Sequence, residues 1–317
     1  MRLLFLLLTT FFGLNLAAQV QLGVTTEREN YLRYEPVAGK ITIVNNSGTQ
    51  LRFDKNTPSA KLRIVVIDEK KQLIEPFKDD FNPIAGLVLA AGETRSLDLN
   101  INEHYPMSAT GKYTLTAELS HPAFKLKFAS EKCLLEISPG ISMSKRDFGM
   151  TDPLDTRKVV PRYYELLIFK PAQGGADVLC LKIADDKFVY GLHRLGPHVN
   201  GVDIGHDVDG FSSIHTLVQV KASLFVHSVF SPSGEMKQIV AYSASFQDFP
   251  SLRRDPSLGK ISIDGGTKHT EGIDYRRDGN LITLPPRADS APCSHGGSRS
   301  RGRRTTRRAL GYQYSAA

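Results

Sequence analysis

The chain has 317 residues and a formal net charge of +7, with 40 Lys or Arg against 33 Asp or Glu. Seven Arg and one Asp lie from Arg287 onward, so once these and Arg2 are set aside residues 19–286 carry no net charge, and a nucleic-acid-binding body is excluded. Three cysteines, scattered at positions 133, 180 and 293, exclude both a disulfide framework and Cys-x-x-Cys metal spacing.

The chain opens with Arg2 and a largely apolar run, Leu3 to Ala18, that ends in small residues. That is the pattern of a secretory signal peptide cleaved after Ala18. Thr9, Thr10, Gly13 and Asn15 interrupt the run, which falls short of the ~20 apolar residues of a spanning helix. No cysteine follows it to take a lipid, and no later stretch is long and apolar enough to span a bilayer. The expectation is a secreted or periplasmic protein with no transmembrane segment in the mature chain. Cys133 in "EKCLLEI" and Cys180 in "DVLCLKI" read as small apolar side chains in strands, or as a bridge between two domains formed in an oxidising compartment.

From residue 19 to 139 the chain runs in short β-branched or aromatic bursts separated by Gly, Pro, Asp and Asn: "GKITIVNNSG", "KLRIVVIDEKKQLI", "GLVLAAGETRSLDLNI", "GKYTLTAEL" and "FKLKFASEKCLLEI". The two-residue period of a strand puts Ile41 and Ile43 on one face, and likewise Tyr113, Leu115, Ala117 and Leu119. Such strands with turns between them predict an antiparallel β-sandwich. Tyr113, two residues after Gly111, stands where a tyrosine corner would sit, its hydroxyl bonding to upstream backbone. Position 115, a cysteine in antibody domains, is Leu here, which passes the packing role to aliphatic side chains.

The motifs Tyr34-Glu35-Pro36-Val37, Ala91-Gly92-Glu93 and Gly111-x-Tyr113 resemble the immunoglobulin-like β-sandwiches of secreted bacterial proteins, including macroglobulin-type and proteinase-inhibitor-type domains. The resemblance covers about residues 22–138 and implies a fold rather than an activity. Neither a bait loop nor a thioester Cys-Gly-Glu is present, so macroglobulin chemistry is not implied.

Residues 140–161 show neither period and are rich in breakers, which reads as an irregular interdomain linker. Residues 162–286 resume the strand pattern with "RYYELLIFK", "DVLCLKIA", "FVYGLHRL", "SIHTLVQV", "SLFVHSVF", "MKQIVAYS" and "GKISIDGG". Turns of two to five residues between several of them predict antiparallel neighbours, hence a second sandwich or a small barrel. The fold class is all-β. Residues 287–317, rich in Arg, Gly and Ser, read as a disordered basic tail or as an altered reading frame.

The densest group of potential ligands is "HVNGVDIGHDVDG" with the histidine that follows: His198, Asp203, His206, Asp207, Asp209 and His215. Zinc or calcium is the cofactor such residues suit. A calcium EF-hand is excluded, because alignment on Asp207, Asp209 and Gly210 leaves Gly205 and Thr216 where carboxylates are required. The competing reading makes Asn200-Gly201 and Asp209-Gly210 turn residues and His215 part of a strand. "SMSK" at 142–145 matches the Ser-x-x-Lys of penicillin-recognising enzymes in spacing alone, since the companion motifs are missing. No catalytic residue is assigned. The absence of tryptophan, the ring of choice for stacking on sugars, weakens a carbohydrate-binding reading without excluding it; stacking would fall to Tyr31, Tyr34, Tyr163, Tyr164 and Tyr190, most of which read as strand packing.

These features favour an exported, non-catalytic interaction or structural module of the cell envelope that binds a protein or envelope component through loops and sheet edges. The alternatives are a metal-binding protein or metal-assisted hydrolase built on the 198–215 cluster, and a proteinase-inhibitor-like binder.

Overall fold

A computed structural model describes residues 19–283 apart from 55–58, 153, 172–173 and 279–280. Residues 1–18, read above as a signal peptide, residues 287–317, read as a disordered basic tail, and Cys293 lie outside the described residues. The first part of the chain supplies strands β1 (Val20–Thr26), β2 (Asn30–Leu32), β3 (Ala38–Asn45), β4 (Leu51–Arg52), β5 (Lys61–Ile67), β6 (Leu73–Ile74), β7 (Val88–Leu89), β8 (Thr94–Asn100), β9 (Gly111–Ser120), β10 (Phe128–Ala129) and β11 (Cys133–Ser138). A single 3-10 turn, Ile101–Glu103, interrupts them, and no α-helix occurs among the described residues.

One sheet runs β1-β3-β8 and the other β2-β11-β9-β5-β6, with β2 parallel to β11. Strands β3, β5, β9 and β11 alternate buried positions with more accessible ones, as their sequence period requires. Ile41 and Ile43 from β3 meet Ile64, Leu115, Ala117 and Leu119 from the facing sheet in one fully buried core. Leu115 is at 0% exposure. The Tyr113 hydroxyl donates to the Ala109 carbonyl at 2.8 Å, the upstream bond that the corner position predicts. A second buried tyrosine, Tyr105, donates to the Ile64 carbonyl at 2.7 Å, so neither phenol is left unsatisfied in the core.

The second part comprises β12 (Ile141–Thr151), β13 (Val159–Phe169), β14 (Val178–Ala184), β15 (Val189–Pro197), β16 (Gly205–Val208), β17 (Ile214–Lys221), β18 (Leu224–Phe230), β19 (Met236–Ser243), β20 (Ser251–Arg254), β21 (Ile261–Asp264), β22 (Thr267–Lys268), β23 (Arg276–Asp278) and β24 (Leu281–Thr283). Sheet β12-β13-β14-β15 faces sheet β16-β17-β18-β19-β22, and neither closes into a barrel. Tyr164, Leu166, Leu181 and Ile183 interdigitate with Val208, Ile214, Val218 and Phe230 between the layers. The two-sandwich alternative is therefore the one realised.

Residues 140–161 are not the irregular linker that the sequence suggests. Eleven of them form β12, paired with β13 along its length with one irregularity between Ser142 and Ser144. The period is invisible because β12 is an edge strand with only Met150 buried, held by its backbone ladder rather than by an apolar face. Ser142 and Lys145 therefore sit on a strand, not one helical turn apart, which removes the context that the Ser-x-x-Lys match needs. Part of the 198–210 loop is likewise a strand, β16, paired with β17.

The two sandwiches join directly at Pro139-Gly140. Leu32 of the first sandwich inserts against Leu167, Phe169 and Cys180 on the outer face of sheet β12-β15. Gly140 permits the approach: a Cβ there would come within 2.8 Å of the Leu32 side chain and 3.2 Å of Leu167. Beside this apolar contact Arg194 of β15 grips Glu35 with Nε to Oε1 at 2.7 Å and Nη2 to Oε2 at 2.8 Å. Its Nη2 also donates to the Asn30 carbonyl at 3.1 Å, and its guanidinium lies 4.6 Å over the Phe169 ring. Cys180 is buried in this joint and Cys133 is half-buried; both are free thiols, so no disulfide bridges them.

Candidate ligand cleft at the junction

The structure does not gather the six predicted metal ligands into one group; among them only Asp209 and His215 meet directly. His198 and Asp203 line a small crevice beyond the end of β15, where the His198 backbone N–H donates to the Asp177 carbonyl at 2.8 Å. The His206 Nδ1 meets the Tyr164 hydroxyl at 2.7 Å. Asp207 is occupied by two guanidiniums, Arg146 Nη1 at 2.5 Å and Arg254 Nε at 2.9 Å. Burial opposes its charge, but the Arg254 and Val208 hydrogen bonds and the two positive charges outweigh it and hold the carboxyl below the usual range.

Asp209 caps its own turn, accepting the N–H groups of Phe211 at 2.9 Å and Ser213 at 2.7 Å on Oδ1. Its Oδ2 faces His215 Nε2 at 3.3 Å, and His215 Nδ1 faces His227 Nε2 at 3.0 Å. Burial pushes both imidazoles down, His227 to about 4, so both are neutral at neutral pH. A neutral His215 donating from Nε2 to Asp209 must accept at Nδ1, which assigns the Nε2–H of His227 as the donor between the rings. Among the described residues no group of three or more His, Cys, Asp or Glu is gathered so as to hold a metal ion. His206 and Asp207, successive residues of β16, take different partners, a phenol and two guanidiniums.

The junction creates a site that the sequence did not mark. Where the first sandwich leaves the outer face of sheet β12-β15 uncovered, a cleft of about 530 Å³ opens, lined by Arg33, Tyr34 and Asn102 on one side and by Tyr163, Lys182 and the loop Asp185–Val189 on the other. Tyr163 and Lys182 reach it because alternate residues of β13 and β14 point outward there, while Tyr164, Leu181 and Ile183 fill the core.

Tyr34 is held in left-handed backbone at φ 72° by a turn that the Glu35 N–H closes onto the Leu32 carbonyl at 2.9 Å. A non-glycine residue there costs about 1–2 kcal/mol. The residue is nevertheless 44% exposed, so core packing does not repay that strain. It forms the cleft wall, under the Arg33 guanidinium at 4.7 Å. Strain kept at an exposed aromatic ring points to use of the ring.

The opposite wall is prepared by Asp185. Its carboxylate accepts from the Tyr190 hydroxyl at 2.7 Å, the N–H groups of Lys187 and Phe188 at 2.8 Å each, and Arg162. The Tyr190 bond, the two backbone donors and the Arg162 charge together hold its pKa at about 2. Arg162 in turn stacks 3.6 Å over the Tyr190 ring. This network fixes the loop with Phe188 63% exposed. On the cleft floor Lys182 pairs with Glu165, and Lys145 sits 3.7 Å over the Tyr163 ring.

Of the five tyrosines considered for stacking, Tyr31 and Tyr164 are core residues at 0% exposure, Tyr190 is engaged by Asp185 and Arg162, and Tyr34 and Tyr163 line the cleft. Nothing local marks Phe188 or Asp185, since "ADDKF" reads simply as a turn, or Lys182, which lies in the strand "DVLCLKIA". No protein-family model, curated protein or solved structure matches the chain.

Proposed function

We propose that this chain is an exported binding module of two sandwiches, the first immunoglobulin-like, that receives a carbohydrate of the cell envelope in its junction cleft. The immunoglobulin-like reading is supported by the first sandwich: one sheet of three strands, a second in which β2 pairs in parallel with the last strand, and a tyrosine corner. Export rests on the leader-like N-terminus.

The observation that carries the ligand assignment is Tyr34, strained yet exposed, in a cleft shared with Tyr163 and Phe188. Aromatic faces suit the C–H faces of sugar rings, and Lys187, Asp186 and Arg33 supply polar groups at the rim. The fixed turn and the Asp185 network hold these walls before a ligand arrives, which lowers the cost of ordering them.

Calorimetric titration with envelope oligosaccharides tests the reading, with Tyr34→Gly as the control. Glycine relieves the backbone strain and so preserves the fold, and saccharide affinity is expected to fall about tenfold or more, the value of one lost stacking contact. Saccharide binding that is absent from the wild-type chain, or unchanged in Tyr34→Gly, refutes it.

A further inference from the structure

The second sandwich carries a different constellation, away from the residues that line the cleft. Ser243 ends β19, and the short edge strand β22 pairs with it so that Thr267 lies opposite Ser243 and Lys268 opposite Tyr242. The ladder continues one residue further, where the His269 N–H donates to the Ala241 carbonyl at 2.9 Å. His269 thus sits opposite residue 241, and the diagonal neighbour on the same face is residue 243. The Ser243 Oγ is hydrogen-bonded to His269 Nε2.

The other ring nitrogen, Nδ1, faces the Asp274 Oδ2 at 3.7 Å. That carboxylate is held by the turn that follows, accepting the Thr270 N–H at 2.8 Å while the Asp274 N–H donates to the Thr270 carbonyl at 2.9 Å. Tyr275, 2% exposed and donating to the Ile239 carbonyl at 3.2 Å, anchors the turn to the sheet. Hydroxyl to Nε2 and carboxylate to Nδ1 is the order of atoms in a nucleophile, base and orienting carboxylate. The side chains of His269 and Asp274 are 25% and 41% exposed, so the group is reachable from solvent. The loops that carry it also present Phe246, Phe249 and Ile273 to solvent at 93%, 59% and 75%.

We propose that Ser243, His269 and Asp274 form an acyl-transfer centre on the open rim of the second sandwich, taking esters with an apolar acyl group. Ser243 is the nucleophile, His269 the general base and acid, and Asp274 a positioning residue that acts through His269. In the first half, His269 Nε2 removes the Oγ proton as Oγ bonds to the acyl carbon. The ester C–O bond breaks and the leaving alkoxide takes the proton from Nε2. In the second half, water attacks the acyl carbon and gives a proton to Nε2. The Oγ–acyl bond then breaks and the proton returns to Oγ. One ester and one water become one acid and one alcohol. The exposed Phe246, Phe249 and Ile273 account for the apolar acyl preference, and the open rim suits an ester that protrudes from a larger molecule or is itself small.

The test uses the full chain with p-nitrophenyl butyrate as substrate and a fluorophosphonate as covalent probe. The expected result is one probe adduct per chain, mapped to the Ser243 peptide, and hydrolysis that falls about 100-fold or more in Ser243→Ala and His269→Ala. Asp274→Asn is expected to lower kcat with little change in KM, and Asp274→Glu to recover much of it. An unlabelled wild-type chain with no turnover above buffer overturns the proposal, as does an adduct that persists in Ser243→Ala. Full activity in Asp274→Asn overturns the role of Asp274. Adduct mapping on the wild-type chain decides the matter even where a variant folds poorly.

Discussion

Removing the Arg194 guanidinium is the most informative perturbation of the joint. Glu35 would be left with a side chain only 9% exposed, keeping the weak Arg28 contact at 3.5 Å and the Leu32 N–H at 2.9 Å. Breaking a fully buried pair from one side costs about 3–5 kcal/mol. Arg194 retains 19% exposure, which brings the expectation for Arg194→Ala to roughly 2–4 kcal/mol, including lost contact with Phe169. For a unit of this size that is a drop of about 2–4 °C in Tm for each kcal/mol. Because the pair lies at the joint between the sandwiches, beside the Leu32 contact, the loss should also split a single calorimetric transition into two. The double variant Glu35→Leu/Arg194→Met removes both charges together and should cost less than the two single changes combined, with a coupling of about 1 kcal/mol or more. Single costs that simply add, with the transition still undivided, refute the claim that this bond couples the two bodies.

Leu115→Ala, in the core of the first sandwich, should cost about 2–5 kcal/mol by denaturant titration; a cost below 1 kcal/mol would mean that the site is not the packing substitute proposed for an inter-sheet disulfide. Stability should also fall with pH over a defined window. His227 has a folded pKa of about 4 against about 6.5 unfolded, so the unfolded chain binds the extra proton between these values and stability is full above pH ~6.5 and lost towards pH ~4. The loss is about 3 kcal/mol, and denaturation midpoints should follow it in the wild-type chain and much less in His227→Gln. Burial raises the Cys180 thiol to about 12, so iodoacetamide at pH 8 should leave Cys180 unmodified in the folded chain and modify it after denaturation, as peptide mass mapping would show. Zinc or calcium should shift Tm by less than about 1 °C, because two guanidiniums already occupy Asp207 and no three of the predicted ligands are gathered; a larger shift abolished by Asp207→Asn would contradict this.

The strands were legible wherever burial imposed a period. Ile41, Ile43 and the alternation from Tyr113 to Leu119 could be placed from the sequence because one face of each strand is sealed. β12 could not, since its ladder is made of backbone groups that every residue carries, and its side chains remain wet. The metal cluster shows the same limit from the other side. Close spacing in the chain suggested convergence, but β16 turns His206 towards Tyr164 and hands Asp207 to Arg146 and Arg254, partners 61 and 47 residues away.

The features that matter most for function lie furthest from a local reading. Glu35 and Arg194 are 159 residues apart, and Ser243 and His269 are separated by 26; each pair is brought together by register, not by motif. Tyr34 is the instructive case. Its sequence context, "YEP", is part of a resemblance to a sandwich family, yet the positive φ that makes the ring costly exists only once Glu35 closes the turn. The same residue that anchors the joint to Arg194 therefore also sets the cleft wall. A Glu35 variant should consequently weaken both at once: Glu35→Gln keeps the turn's backbone bond while loosening the Arg194 grip, and it should reduce saccharide affinity less than Tyr34→Gly does. Equal losses in the two variants would mean that the cleft depends on the joint as a whole and not on the Tyr34 ring.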